Sequence, residues 1–300
     1  MLIGLSVVTF LVVRLLPGGP AQTLVGIRAN AETIASLNEQ LGLNDPLVVQ
    51  YLRYVSGLVT GDLGESFLTG ASVDSVITAH IGSTLLLIVY SVALACIIGI
   101  PLAVVAAYSR NRLPDHVIRG VVVVSFSLPS FWVGIVLVAV FGLRLGWFPT
   151  GGTGQGLVDQ LWHLFLPALT LALTFLAVLV RGLRSSLSDV VRADFVDAAR
   201  LKGLSEGRIL VHHVLRIALV PAVTLVGLNV SYLLGASVIV ENVFAVDGIG
   251  QQLVAAVLQR DFLVVQGITI TFGLLVIVVG LLVEILHVML DPRIGAPTHD

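Results

Sequence analysis

Long apolar runs separated by short charged stretches set the pattern of this chain. Residues 81 to 109 contain no Asp, Glu, Lys or Arg, and neither do Gly120–Leu143, Leu161–Val180, Ile217–Val240 or Phe262–Val283. A helix needs about 20 apolar residues to cross a hydrocarbon core of roughly 30 Å with every backbone N–H and C=O satisfied inside the segment. The pattern predicts spans at about 83–107, 120–142, 163–183, 217–240 and 264–289. The N-terminal run, about 2–16, adds a sixth, but Arg14 interrupts it, Pro17 stops it, and at about 1.5 Å per residue it falls short of the core. A secretory signal is the rival reading, yet no basic region follows Met1 and no small-x-small cleavage site ends the run. The expectation is a first helix that is short, its N-terminal turns either missing from this sequence or supplied by packing.

The fold class expected is therefore all-α integral membrane, with six transmembrane helices in one domain over residues 1–300. Two segments between spans are long enough to fold, 17–80 and 242–261. In them Pro46–Thr60 and Ile249–Leu258 read as amphipathic surface helices, and Gly61, Gly64 and Gly70 mark a turn-rich link. Composition agrees: 57% of residues are hydrophobic and 11% charged, against roughly 25% charged in soluble domains. Membrane lipid is the implied surrounding, and a net charge of −2 points to no nucleic-acid partner. The single cysteine, Cys96, can form no intrachain disulfide.

Basic residues set the orientation, because Lys- and Arg-rich loops stay in the cytoplasm. Six spans with both termini inside place Arg110, Arg112, Arg119, Arg181, Arg184, Arg192, Arg200, Lys202, Arg208, Arg216 and Arg293 there. The opposite side keeps Arg14, Arg28, Arg53, Arg144 and Arg260, with acids including Glu241, Asp247 and Asp261. Small residues recur every four positions at Ser91, Ala95, Gly99, Ala103 and Ala107, and again at Gly227, Ser231 and Gly235. Such stripes let helices approach closely in lipid, either within one subunit or against a second one.

The most informative stretch is the cytoplasmic loop, 184–216, and above all Asp194–Ala222. Asp194 and Asp197 suit the positive end of a short helix, Ala198 and Ala199 present adjacent small side chains, and Gly203 is a C′ stop. Ser205 is placed to cap a second helix whose Leu210, Val211, Val214 and Leu215 form an apolar strip before Pro221 enters the next span. An ordinary basic loop would need neither the Ala-Ala step nor the strip.

Asp197-Ala198-Ala199, then Gly203, with Pro221 downstream, resembles the EAA coupling motif of bacterial ABC-importer permeases of the dipeptide/oligopeptide branch. LLPGGPA (Leu15–Ala21), LGLNDPLVVQYL (Leu41–Leu52), GDLGESF (Gly61–Phe67), LGWFPTGG (Leu145–Gly152), ENVFAVDGIGQQL (Glu241–Leu253), RDFLVVQG (Arg260–Gly267) and DPRIG (Asp291–Gly295) extend the resemblance over nearly the whole chain. Asp197 departs from the motif's Glu but keeps the charge, and Pro221 lies farther from Gly203 than in the general motif. The resemblance implies a type I importer permease in the bacterial cytoplasmic membrane. Its partners would be a second, similar permease, two ATPase subunits that bind ATP and Mg, and an extracytoplasmic solute-binding protein. Asp197 to Gly203 would dock on an ATPase, Ala198 and Ala199 allowing close approach while Arg200 and Lys202 supply polar contacts.

The chain itself holds no cofactor motif. Its one lysine, Lys202, precedes Gly203 and cannot form the G-x-x-x-x-G-K-[ST] phosphate loop, so hydrolysis would need a separate subunit. No paired acids, H-E-x-x-H or nucleophile elbow marks a membrane enzyme. The alternative class is an ion-coupled secondary transporter, against which stands the absence of an acid or base central to the five clear spans. Glu284 and His287 form a lone E-x-x-H pair, His212 and His213 lie beside the coupling segment and read as interface or surface residues rather than a catalytic pair, and the other histidines have no ligand-like spacing. Pro101, Pro129 and Pro167 are candidate kinks. Polar residues at membrane depth nominate Ser127, Ser130, Asn229 and Tyr232 for the translocation path.

Overall fold

The computed structural model describes residues 2–15, 35–36, 38–39, 42, 44–66 and 68–290. The DPRIG segment and Pro17–Ala21 lie outside them, as do Arg28 and Arg293. Among the described residues the regular structure is helical apart from one isolated antiparallel bridge, Glu65 to Ser72. The helices are α1 (Leu2–Leu15), α2 (Leu47–Thr60), α3 (Val73–Tyr108), α4 (Leu113–Ser127), α5 (Ser130–Leu137), α6 (Leu157–His163), α7 (Phe165–Val190), α8 (Asp194–Leu201), α9 (Glu206–Ile209), α10 (Leu215–Val243), α11 (Ile249–Gln259) and α12 (Phe262–Leu290). π-helical turns extend α5 over Val138–Arg144 and join α9 to α10 over Leu210–Val214.

Contacts divide the chain into two compact units, one of residues 1–84 with 247–275, the other of 85–246 with 276–300. In the first, the 14-residue α1 spans about 21 Å at 1.5 Å per residue, short of the core as its sequence implies. α1 is held by polar and aromatic contacts: Phe10 packs on Tyr51 and Tyr54, Ser6 Oγ meets Tyr51 OH at 2.9 Å, and Gln266 Nε2 donates to the Thr9 carbonyl at 3.2 Å. Val73, Ile77, Ile249, Val264 and Ile268 form the apolar core of this unit. Asp261, buried just before α12, accepts the Ser66 hydroxyl, and Thr84 Oγ1 accepts the Ile249 N–H at 3.0 Å at the start of α11.

α7 is the centre of the second unit, with more than half of its 26 residues buried. The α3 stripe of Ser91, Ala95, Ala103 and Ala107 is buried, and a Cβ on Gly99 would stand 3.0 Å from Leu179 and 3.1 Å from Leu176 of α7. That stripe packs within the subunit. The second stripe divides: a Cβ on Gly227 would come within 2.2 Å of Val283, whereas Gly235 is exposed with open space around it. Replacing Gly227 with Val should force α10 away from α12. Thermal denaturation in detergent should show the loss, about 1–3 kcal/mol for overpacking, and Gly235→Val should show little.

One predicted span is corrected. The run 120–142 is not a continuous helix: α4 ends at Ser127 and the chain resumes at Ser130, bent by 102°. Pro129 has no N–H to offer, and Leu128 before it is extended at φ −89°, ψ 133°, as the residue preceding proline must be. Among the described residues four helical stretches are long and apolar enough to cross a bilayer, five if the bent pair counts as one. Pro101 and Pro221 lie inside α3 and α10, and Pro167 sits in the first turn of α7. Glu241, assigned to the outer side by the sequence, is fully buried near the end of α10.

Candidate coupling site

The loop after α7 folds as the two-helix elbow its sequence predicts. Asp194 and Asp197 occupy the first turn of α8, where backbone N–H groups favour negative charge. The helix closes on Gly203, whose φ of +78° lies in the left-handed region. The Gly203 N–H bonds the Arg200 carbonyl at 2.9 Å and the Leu204 N–H bonds the Ala199 carbonyl at 3.3 Å, the paired bonds of a Schellman stop. No atom crowds Gly203, so Gly203→Ala should cost only the left-handed strain, about 1–2 kcal/mol. Loosened elbow backbone amides in hydrogen exchange would report it.

The two alanines part company. Ala199 is only 8% exposed and packs inward with Val196, whereas Ala198 faces out on the same side as Phe195 and the almost bare Leu201. Of the two, only Ala198 presents its side chain at the surface of this structure. Beneath α8, Val196, Ala199, Ile209 and Val214 join Leu183 and Leu187 of α7 and Val122 of α4 in one buried cluster. The π turn shifts the expected strip: Ile209, Val214 and Ala218 are buried and Val211 is exposed, because the wider turn adds a residue per repeat. Ser205 stands at the N-cap position of α9 without a side-chain cap bond.

Arg200, exposed at the surface, is engaged within the elbow. Its Nε donates to Glu206 Oε1 at 2.7 Å and its Nη1 to Asp197 Oδ1 at 2.9 Å, so one guanidinium ties α8 to α9. The carboxylates of Glu206 and Asp197 hold it still more firmly in its charged form. Lys202 remains exposed beside Leu201.

Sequence reading missed Asp115. This first-turn residue of α4 is fully buried and accepts both arms of Arg184 of α7, Nε to Oδ1 at 2.6 Å and Nη2 to Oδ2 at 2.7 Å. The Asn111 N–H adds a bond to Oδ2 at 2.9 Å from a left-handed turn, and Arg119 Nε stands 3.6 Å from Oδ1. A separation of 69 residues hides such a pair from any local pattern.

The path candidates stay in two pairs. Ser127 and Ser130 flank the bend, Ser127 Oγ donating to the Val123 carbonyl at 2.9 Å. Asn229 and Tyr232 lie one turn apart on α10, Asn229 Nδ2 donating to the Leu225 carbonyl at 2.7 Å and Tyr232 being 61% exposed. Among the described residues no hydrogen bond joins the pairs, and no three metal-ligating side chains converge. His212 and His213 are exposed in the π turn, Glu284 is exposed, and the His287 side chain lies outside the described residues.

Residues 99–296 match the family model described as "Binding-protein-dependent transport system inner membrane component", and residues 1–88 match its companion, "Binding-prot-dependent transport system membrane comp, N-term". The oligopeptide transport system permease protein AppB of Bacillus subtilis (strain 168) is 37% identical over 299 residues, covering 98% of this chain and 95% of that one. The glutathione transport system permease protein GsiC of Escherichia coli (strain K12) is 39% identical over 289 residues, covering 96% and 93%. Among solved structures, a chain of the MetNI methionine ABC transporter in inward facing conformations superposes with a TM-score of 0.60 at 16% identity, covering 72% of this chain and 96% of that one. The type I importer permease fold is thus shared.

Proposed function

From the premise that this chain belongs to the family of binding-protein-dependent transport system inner membrane components, we propose that it is the permease subunit of an ATP-binding-cassette importer for peptides or related small solutes. The elbow carries the reading: an apolar strip of Phe195, Ala198 and Leu201 is exposed on a helix whose other face is buried in the chain's own core. A strip of that kind, braced by Arg200, suits insertion into a cleft of an ATPase subunit that binds ATP and Mg. Closure of two such subunits would swing the attached helices between inward-open and outward-open arrangements. A second permease, a solute-binding protein on the outer side, and both termini in the cytoplasm complete the assembly. This chain would perform no hydrolysis itself. Relatives named for oligopeptides and for glutathione support a peptide-like cargo.

Purifying the native complex and reconstituting it in liposomes tests this. Uptake of a peptide cargo should require ATP, the ATPase subunits and the binding protein. Uptake driven by an ion gradient in their absence would establish the secondary-transporter alternative.

A further inference from the structure

A docked elbow can drive transport only if its movement reaches more than one span. The elbow touches the spans mainly through apolar side chains, Val196, Ile209 and Val214 against Leu183, Leu187 and Val122. Apolar contact is non-directional: it resists separation but lets helices slide or turn against one another. α5 does not hold α4 in line, because the break at Leu128 and Pro129 separates the two by a 102° bend. Against that background a two-armed ion pair, its carboxylate fully buried and its guanidinium side chain mostly enclosed, joins the first turn of α4 to α7 one turn above Leu187. A bidentate guanidinium–carboxylate fork fixes orientation as well as distance, which apolar contact cannot do. Stability alone is a poor reason for it, since well-packed apolar residues commonly replace buried pairs without loss.

We infer that Asp115 and Arg184 are a positioning pair for coupling, locking α4 to the cytoplasmic half of α7 so that force taken up by the elbow moves both helices together about the Leu128–Pro129 hinge. This rests on the reading of the elbow as the ATPase docking site. Asn111, donating to the same carboxylate from the turn between α3 and α4, keeps that carboxylate aimed at Arg184. The neighbouring Arg119, at 3.6 Å, supplies charge but not the fork.

The test uses the whole complex in liposomes and reads cargo imported per ATP hydrolysed, for wild type, Asp115→Asn and Arg184→Lys. Arg184→Lys keeps the charge and loses only the fork, so it carries the test even if Asp115→Asn does not assemble. Hydrolysis should continue in the variants while cargo per ATP falls about fivefold or more, the lower end of ordinary coupling energies. A purely structural role would lower hydrolysis and import in proportion, with the ratio unchanged, and either that result or a fully wild-type variant overturns the inference. A wild-type complex in which import is independent of ATP overturns the docking reading as well, so the two failures are told apart by the wild-type arm.

Discussion

Ala198→Trp should leave the chain inserted and folded yet reduce ATP-driven import by roughly tenfold to a hundredfold. Ala198 is exposed between Phe195, 42% exposed, and Leu201, 91% exposed, so an indole there meets nothing inside the chain. At a close-fitting cleft it would overpack the contact by about 1–3 kcal/mol, and each 1.4 kcal/mol is about tenfold in docking affinity. The adjacent Ala199→Trp makes an instructive contrast. Ala199 is buried against the α7 cluster, and the indole would break the elbow from within. The two variants separate by protein yield and thermal midpoint: Ala198→Trp should match wild type and Ala199→Trp should not. Wild-type import by Ala198→Trp would remove α8 from the docking surface.

Asp115→Ala should be strongly destabilising, by about 3 kcal/mol, the lower end for breaking a buried pair. The cost comes from Arg184, whose side chain is 19% exposed and would lose both arms of its fork while remaining largely enclosed. Partial exposure of Arg184 to solvent sets the low end. The double change Asp115→Ala with Arg184→Met removes the stranded charge along with its partner, and should recover much of the loss. Midpoints of thermal unfolding in detergent for the two single changes and the double form a mutant cycle. Additive losses would show that the two residues do not act as a pair.

What the sequence disclosed follows the reach of local pattern. Charge-free runs located the long helices, because hydrocarbon demands continuous apolar faces of fixed length. The elbow was legible down to Gly203, because caps and glycine stops act within a few residues. Periodicity failed where the period itself changed, the π turn at Leu210–Val214 displacing the buried strip, whereas Pro129, a candidate kink in the sequence, breaks its run with a bend of 102° whose size no local pattern sets. Which alanine faces a partner depended on the tertiary cluster under α8, and the Asp115–Arg184 pair depended on a contact between distant helices. Arg184 had been counted for topology alone, a role that needs no partner.

The central claim is that the outward strip of α8 grips a nucleotide-hydrolysing subunit. A photo-crosslinking side chain placed at Leu201, the most exposed member of that strip, measures it directly in native membranes. A crosslink to the ATPase subunit is expected, diminished by Ala198→Trp. Crosslinking only to lipid or to other permease surfaces, in membranes where ATP-driven import proceeds normally, would contradict it.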